Sequence, residues 1–155
     1  MVSGHAPSNA CSAQFATRPV SASDEMRAGK YLRLLINKMA ATKFVAILMN
    51  SRNQAHAFHL ETSSYAQHKA LEKYYEKIVD LLDDYAEAYM GKYGRIGRIH
   101  VNSRQIRNPK KARAYFGALL GRIRSLRLPR DAYLKNIQDE ITALIRKTMY
   151  MLTLR

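Results

Sequence analysis

One twenty-residue stretch holds residue types that could bind a metal ion. It runs from His68 to Glu87, reads HKALEKYYEKIVDLLDDYAE, and contains six of the chain's twelve Asp and Glu residues. On a helical wheel of about 100° per residue, four of its side chains share one arc beside an apolar stripe: His68, Glu72, Asp83 and Glu87. Carboxylates combined with imidazole suit iron or manganese better than structural zinc. The alternative is that these acids form an ordinary solvated helix face.

The four residues lie too far apart to share one ion within a single helix. Glu72 and Asp83 are separated by about 16 Å along the axis, at 1.5 Å per residue. Their order is nevertheless symmetric, because positions 68 and 72 are mirrored by 83 and 87. Two such helices packed antiparallel across a two-fold axis would form two equivalent sites, each shared between subunits. The sequence therefore predicts a metal site that depends on a homo-oligomer built from two-fold dimers.

Two more histidines stand just upstream of this stretch. His56 and His59 are three residues apart, near the expected end of the first helix or in the turn that follows it. Either could supply a second imidazole to the metal. The alternative is that they are turn or core residues.

The chain as a whole is expected to be all-α, since apolar residues recur at helical spacing in four segments and no strand pattern is present. The expected helices cover about 24 to the mid-50s, 64–91, 109–128 and 131 to the C-terminus. Ser23 caps the first helix and Gly91 ends the second. The apolar stripe of the first helix comprises Leu32, Leu35, Ile36, Met39, Ala46 and Met49. Four such helices favour a four-helix bundle.

The composition suggests one bundle preceded by an arm. Residues 1–23 are rich in Ser, Ala, Pro and Asn and predict an extended arm. Residues 24–155 form the bundle, in which 92–130 is an inserted basic connector with the third helix. The single cysteine, Cys11, excludes an intrachain disulfide and a cysteine zinc cluster. No apolar run reaches the roughly 20 residues of a membrane span, and no secretory signal is recognisable.

A second functional signal is the charge of the connector and third helix. The chain has a formal net charge of +14, and between Arg95 and Arg130 it has no acid at all. The basic residues there are Arg95, Arg98, Arg104, Arg107, Lys110, Lys111, Arg113, Arg122, Arg124, Arg127 and Arg130. Such a segment predicts sequence-independent binding to phosphates of DNA, because no sequence-reading motif accompanies it. Acidic protein neighbours in an oligomer are the alternative partner.

The order His56, His68, Glu72, Asp83 and Glu87 resembles the ferroxidase pattern of the Dps-type mini-ferritins. Two longer stretches are similar to uncharacterised ferritin-like proteins of tailed bacteriophages: HLETSSYAQHKALEKYYEKIVDLLDDYAEAYMGKYG and NIQDEITALIRKTMYMLTL. The resemblance covers about residues 30–94 and 131–155. It departs from the mini-ferritins in lacking their tryptophan after the first histidine and in having Glu72 where they have aspartate.

The resemblance implies a ferritin-like four-helix bundle that assembles through two-fold dimers and oxidises iron, or manganese, at intersubunit sites. Two functions follow. The first is a Dps-like ferroxidase that also associates with DNA through the basic segment. The second is a bacteriophage virion component, without an active metal site, that uses the bundle as a scaffold to bind capsid, tail or packaged DNA. The expected location is the host cytoplasm or the virion, with no membrane partner.

Overall fold

The computed structural model describes residue 1 and residues 21–102 and 105–154. It is helical, as expected. Helix α1 spans Ala22–Glu61, α2 Tyr65–Tyr93, α3 Ala112–Arg124 and α4 Ala132–Met151, and a single 3-10 turn, Pro109–Lys111, leads into α3. The all-α prediction and all four predicted helices are confirmed. The expected arm lies almost wholly outside the described residues, although Ala22 and Ser23 belong to α1.

Each helix packs against two neighbours in the ring order α1, α2, α4, α3. Helix α2 is antiparallel to α1, because Phe44 contacts Tyr85 near one end of the pair while His59 contacts His68 at the other. Lys92 at the end of α2 binds Asp131 at the start of α4, so these two helices are also antiparallel. The topology is therefore a bundle with short turns after α1 and α3 and one long connection, residues 94–108, between α2 and α3.

Two helix ends differ from the expected ones. The side chain of Ser21, not Ser23, accepts a hydrogen bond from the Asp24 amide at 3.2 Å and caps α1. Helix α2 continues through Gly91 and ends at Gly94, whose φ of 79° is the left-handed conformation that only glycine adopts without strain. At the other end of the bundle, α1 extends past the mid-50s to Glu61, so both of its histidines are helical.

The core contains a hydrogen-bonded tyrosine from α2. Tyr74 is fully buried, and its hydroxyl lies 2.7 Å from the Ser51 hydroxyl, which donates to the Leu48 carbonyl at 2.7 Å. Because Ser51 has one proton, Tyr74 must be the donor to it. Tyr85 is equally buried, yet its hydroxyl has no hydrogen-bond partner among the described residues. Gln138 lies toward that hydroxyl without reaching hydrogen-bond geometry.

The long connector is attached to α1 by side chains of that helix. Thr42 accepts a hydrogen bond from the Gly97 amide at 2.9 Å, and Asn50 accepts one from the Asn102 amide at 2.7 Å. Gln54 binds both the amide and the carbonyl of Ile106, at 2.7 and 3.0 Å. Gly97 permits this approach, since a Cβ there would lie 3.3 Å from the Thr42 hydroxyl. The connector thus follows α1 and brings the chain back to the other end of the bundle.

The first part of α1 does not belong to the core. Its residues from 22 to 36 are all exposed, and Ala40 is its first buried residue. The predicted stripe is wrong as a core stripe in this region, because Leu32, Leu35, Ile36 and Met39 are exposed. The buried face of α1 begins further along and comprises Ala41, Phe44, Val45, Leu48, Ser51, Ala55 and Phe58. We call residues 22–39 the α1 overhang.

None of the helices in residues 21–102 and 105–154 combines the length and hydropathy of a membrane span.

Candidate functional site

The turn between α1 and α2 brings two of the predicted histidines into contact. The rings of His59 and His68 stack at 3.7 Å between centroids, with 27° between their planes. His59 Nδ1 lies 3.0 Å from the His68 carbonyl oxygen, and His68 Nδ1 lies 3.1 Å from the His59 carbonyl oxygen. A carbonyl can only accept, so each Nδ1 must be the donor. In the neutral rings, both Nε2 atoms therefore keep their lone pairs free for a ligand.

His56 joins the edge of this cluster through an aromatic contact. It stacks on Tyr75 at 4.5 Å between centroids and lies 6.0 Å from the His59 ring. Tyr75 also meets His59 edge-on at 5.2 Å. The three histidines predicted as ligands are thus neighbours at one end of the bundle, and we call them the histidine cluster.

Glu72 lies one turn along α2 from His68 and is partly exposed. Its carboxylate forms an ion pair with Lys69. The hydrogen bond from Lys69 lowers the pKa of Glu72, and the nearby His59 and His68 lower it further. Glu72 is consequently ionised at neutral pH, which suits a metal ligand, although a metal would have to displace Lys69.

Asp83 and Glu87 are not part of the histidine cluster within one chain. Both are exposed on the outer face of α2, and Asp83 is about 22 Å from His68 along the axis at 1.5 Å per residue. Among the described residues, no group of three or more His, Cys, Asp or Glu side chains is arranged to hold a metal ion. A site containing the predicted ligands therefore requires a second subunit.

The predicted basic residues form an exposed, unpaired set. Arg104 lies outside the described residues, and the other ten are all exposed. In the described part of the chain the ion pairs are Lys69–Glu72, Lys92–Asp131 and Lys135–Asp139, none of which involves these ten. No carboxylate among the described residues therefore neutralises these ten charges.

Two of these arginines line a groove together with the α1 overhang. The groove has a volume of about 1040 Å³ and lies between the overhang and residues 126–131. Lys30 and Arg33 of the overhang face Arg127 and Arg130 across it. Its one carboxylate, Asp131, is already bound by Lys92 and Tyr93. We call this the basic groove.

A second cavity, of about 450 Å³, opens between α1, the connector and α3. It combines two cations, Lys111 and Arg122, with the ring of Tyr115 and with amide side chains of α1. The Arg122 guanidinium stands 5.8 Å from the centre of the Tyr115 ring. Cations beside an aromatic face and amides can hold phosphate and base groups of a nucleic acid.

Two cations of the basic groove, Lys30 and Arg33, were not predicted from the sequence. They stand on the first helix, nearly 100 residues before Arg127, and only the fold brings them to the same groove. The one signal in the sequence is the spacing of Arg27, Lys30 and Arg33 at intervals of three, which places cations along part of one helix.

Comparison with known proteins finds a family of unknown function and a similar phage protein. The model of a family of unknown function, DUF5856, matches residues 59–152. The chain is also 26% identical, over 114 residues, to an uncharacterised 14.6 kDa protein of Enterobacteria phage T4 from the mobD-ri intergenic region. That alignment covers 74% of this chain and 88% of the phage protein. No solved structure matches the chain.

Proposed function

We propose that this chain, which belongs to the DUF5856 family of unknown function, binds nucleic acid without sequence specificity through its basic surface. The relationship to a phage T4 protein supports a role in a phage-infected cell or in the virion. DNA is the expected ligand, with the acidic surface of another protein as the alternative.

The observation behind this proposal is the set of ten exposed cations that have no carboxylate partner in the described chain. Cations in such a position repel one another, so a polyanion that neutralises them is bound favourably. Binding to phosphates also releases the counterions condensed on DNA, which makes the affinity depend steeply on salt. Arginine predominates in the set, and its guanidinium can contact two phosphate oxygens at once.

The basic groove suggests where the backbone of the nucleic acid lies. Lys30, Arg33, Arg127 and Arg130 contribute four positive charges from two separate elements. A duplex or a single strand that follows this groove could continue over α3. Its basic residues Arg122 and Arg124 are exposed and lie just before Arg127 in the chain. The groove cations can bind the phosphate backbone and no sequence-reading motif accompanies them, so the affinity should be similar for unrelated sequences.

Fluorescence anisotropy with two unrelated labelled duplexes tests the proposal. The variant Arg127→Ala/Arg130→Ala removes two groove cations. The control, Lys73→Ala/Lys77→Ala, removes the same charge from the exposed face of α2. Each phosphate contact contributes about 0.9 to the slope of log affinity against log salt, so the salt slope of the groove variant should fall by about two. If the two proteins bind equally at about 1 M salt, the variant should bind roughly sixty-fold more weakly at about 0.1 M.

Three outcomes contradict the proposal. One is absence of binding to either duplex at low salt. Another is an equal loss of affinity in the control variant, which would mean that net charge alone is responsible. The third is preference for an acidic protein partner with no competition by DNA, which would assign the surface to the alternative partner.

A second candidate function, ferrous iron oxidation at a site shared between subunits, is favoured by the histidine cluster. His59 and His68 are oriented by their Nδ1 bonds and could hold iron through Nε2. The topology also supports it, since ferritin-like bundles have one long crossover connection. Glu72 of the same chain and Asp83 and Glu87 of a second α2 would complete the ligand set. Iron bound there would give electrons to dioxygen or peroxide.

Oxidation of ferrous iron by the full chain, followed by absorbance, tests this second function. His68→Ala and Glu87→Ala should each abolish the rate above background. Asp84→Ala is the matched control, because Asp84 is an exposed acid of the same helix that lies about 60° beyond the predicted ligand arc at about 100° per residue. Rates that are unchanged in the first two variants would exclude this function, and DNA binding would be unaffected by that result.

A further inference from the structure

No helix of the described residues packs against the α1 overhang, which only borders the basic groove. The 18 residues of the overhang rise about 27 Å at 1.5 Å per residue, and all of them are exposed except Asn37, which is partly buried. A helix of this length is marginally stable by itself in water, because most helical stability in proteins comes from packing of an apolar face. The overhang therefore needs something to pack against.

The overhang does have an apolar face. Five large apolar side chains occupy it, with exposures of 64, 57, 40, 39 and 72%: Tyr31, Leu32, Leu35, Ile36 and Met39. Ala28, Leu32, Leu35 and Met39 recur at intervals of four, three and four residues, which is the pattern of a coiled-coil seam, and Tyr31 and Ile36 flank them. We call these six positions the seam.

The seam cannot be covered by the bundle to which it is attached. At about 100° per residue, its centre lies roughly 180° from the face of α1 that holds Phe44 and Leu48 in the core. On that outer side of α1 the connector provides cover from Thr42 onward. Before Thr42, the described chain leaves the seam exposed, and Leu32 and Ile36 at its edge line the basic groove opposite residues 126–131.

We propose that the seam pairs antiparallel with the seam of a second copy of this chain. Its positions are symmetric about a point between Arg33 and Leu34, since 28 mirrors 39, 31 mirrors 36, and 32 mirrors 35. A two-fold axis at that point is what an interface between identical surfaces requires. The pairing goes beyond the proposed nucleic-acid binding and does not depend on it.

The register is complementary in size and in charge. Leu32 of one copy meets Leu35 of the other, and the long side chain of Met39 lies over the small Ala28. At each end of the seam, Glu25 of one copy lies opposite position 42 of the other, next to Lys43. Both charged side chains are exposed and lie on the same side of the seam. Opposite charges in such flanking positions favour the pairing.

The pairing lies beside the basic groove, because Leu32 and Ile36 belong both to the seam and to the lining of the groove. Lys30 and Arg33 lie roughly 170° and 130° around the helix from the centre of the seam, at about 100° per residue, so their charges are not brought together at the two-fold axis. A dimer joined in this way presents two basic grooves. Two linked sites bind one long polyanion more tightly than either site alone.

Light scattering of the full chain after size-exclusion chromatography tests the pairing. The wild type should have twice the 17.7 kDa mass of the chain, and Leu32→Glu/Leu35→Glu should have the mass of a monomer. Met26→Glu/Leu34→Glu is the matched control, because these two apolar side chains are also exposed but lie off the seam. It should remain a dimer.

A disulfide experiment tests the direction of the pairing. In a Cys11→Ser background, Ala28→Cys/Met39→Cys should form a covalent dimer on mild oxidation, whereas Met39→Cys alone should not. A covalent dimer from the single variant would indicate parallel helices and overturn the register. A monomeric wild type, or a dimer that Leu32→Glu/Leu35→Glu leaves intact, would overturn the proposal itself.

Discussion

His59 and His68 hold one another by two reciprocal hydrogen bonds, each from a ring nitrogen to the other residue's backbone carbonyl, at 3.0 and 3.1 Å. They also stack at 3.7 Å. The pair clamps the end of α1 to the start of α2 across a turn of three residues. The same arrangement that orients two Nε2 atoms for a ligand is therefore part of the fold.

The clamp predicts coupled losses of stability. His59→Ala and His68→Ala should each lower the free energy of unfolding by about 1–2 kcal/mol, since each removes a partly buried hydrogen bond and the ring stack. The double variant should lose clearly less than the sum, because both single changes destroy the same stack. Urea unfolding of the three variants measures this. Additive losses would show that the two rings act independently.

Tyr74 and Tyr85, two of the three buried tyrosines of α2, should respond differently to loss of the hydroxyl. Tyr74→Phe leaves the Ser51 oxygen without its donor and should cost about 1 kcal/mol. Tyr85→Phe removes a buried hydroxyl that has no partner among the described residues, so stability should be unchanged or higher. Burial raises the pKa of both hydroxyls, so neither is charged at neutral pH. Thermal unfolding compares the two, and an equal loss in both would contradict the assignment.

Asp131 should make stability depend on pH in the acid range. Hydrogen bonds from Lys92 and then Tyr93 lower the pKa of this carboxyl from its ordinary value of 3.8. Its stabilising contribution is therefore complete above 3.8 and is lost as the pH falls through the lowered value in the folded state. Asp131→Asn should be less stable than the wild type at neutral pH, and the difference should shrink toward pH 2.

The control for this effect is Asp139→Asn. Asp139 forms an exposed i,i+4 ion pair with Lys135 on the same helix, and such pairs contribute little. Its substitution should change stability much less at neutral pH. If the Asp131 variant showed no pH-dependent difference from the wild type, the carboxylate would not join α2 to α4 as described.

The Gln54 side chain should control how firmly the connector is held. Gln54→Ala removes both hydrogen bonds to Ile106 and should cost about 1–3 kcal/mol locally. Trypsin should then cleave after Arg107 faster than in the wild type, because local opening exposes the backbone. Asn53→Ala changes the exposed neighbour and should leave the cleavage rate unaltered.

Much of the helical framework could be predicted from local sequence signals. The N-cap and proline at Asn108 and Pro109 start the third helical segment as expected, with Asn108 accepting from the Lys110 amide at 3.1 Å. The end of α2 was predicted at Gly91 and lies at Gly94, the glycine that adopts a positive φ. The sequence does not show which of several glycines takes that conformation. The predicted exposure of the basic residues on α3 followed from their position opposite its apolar stripe.

The predicted metal ligands show which relationships follow from spacing along one helix and which depend on the fold. Their spacing predicts that His68 and Glu72 share one face of α2, and in the structure both lie in that helix, one turn apart. Spacing could not show that His59 would stack on His68 or that Lys69 would bind Glu72, since these contacts depend on the turn between the helices and on side-chain geometry. The ferritin-like assignment and the iron site remain predictions, whereas membership of DUF5856 is established.

By itself, the sequence determined the number of helices, their approximate limits and the uneven distribution of charge, because these depend on residues close together along the chain. The tertiary structure decided which apolar residues enter the core. The stripe of α1 around Leu32 and Leu35 reads as core by periodicity, yet it lies on the opposite side of the helix from Phe44 and Leu48 and stays exposed. Periodicity reports that a face is apolar, and only the packing of the other helices determines whether that face is covered by the same chain.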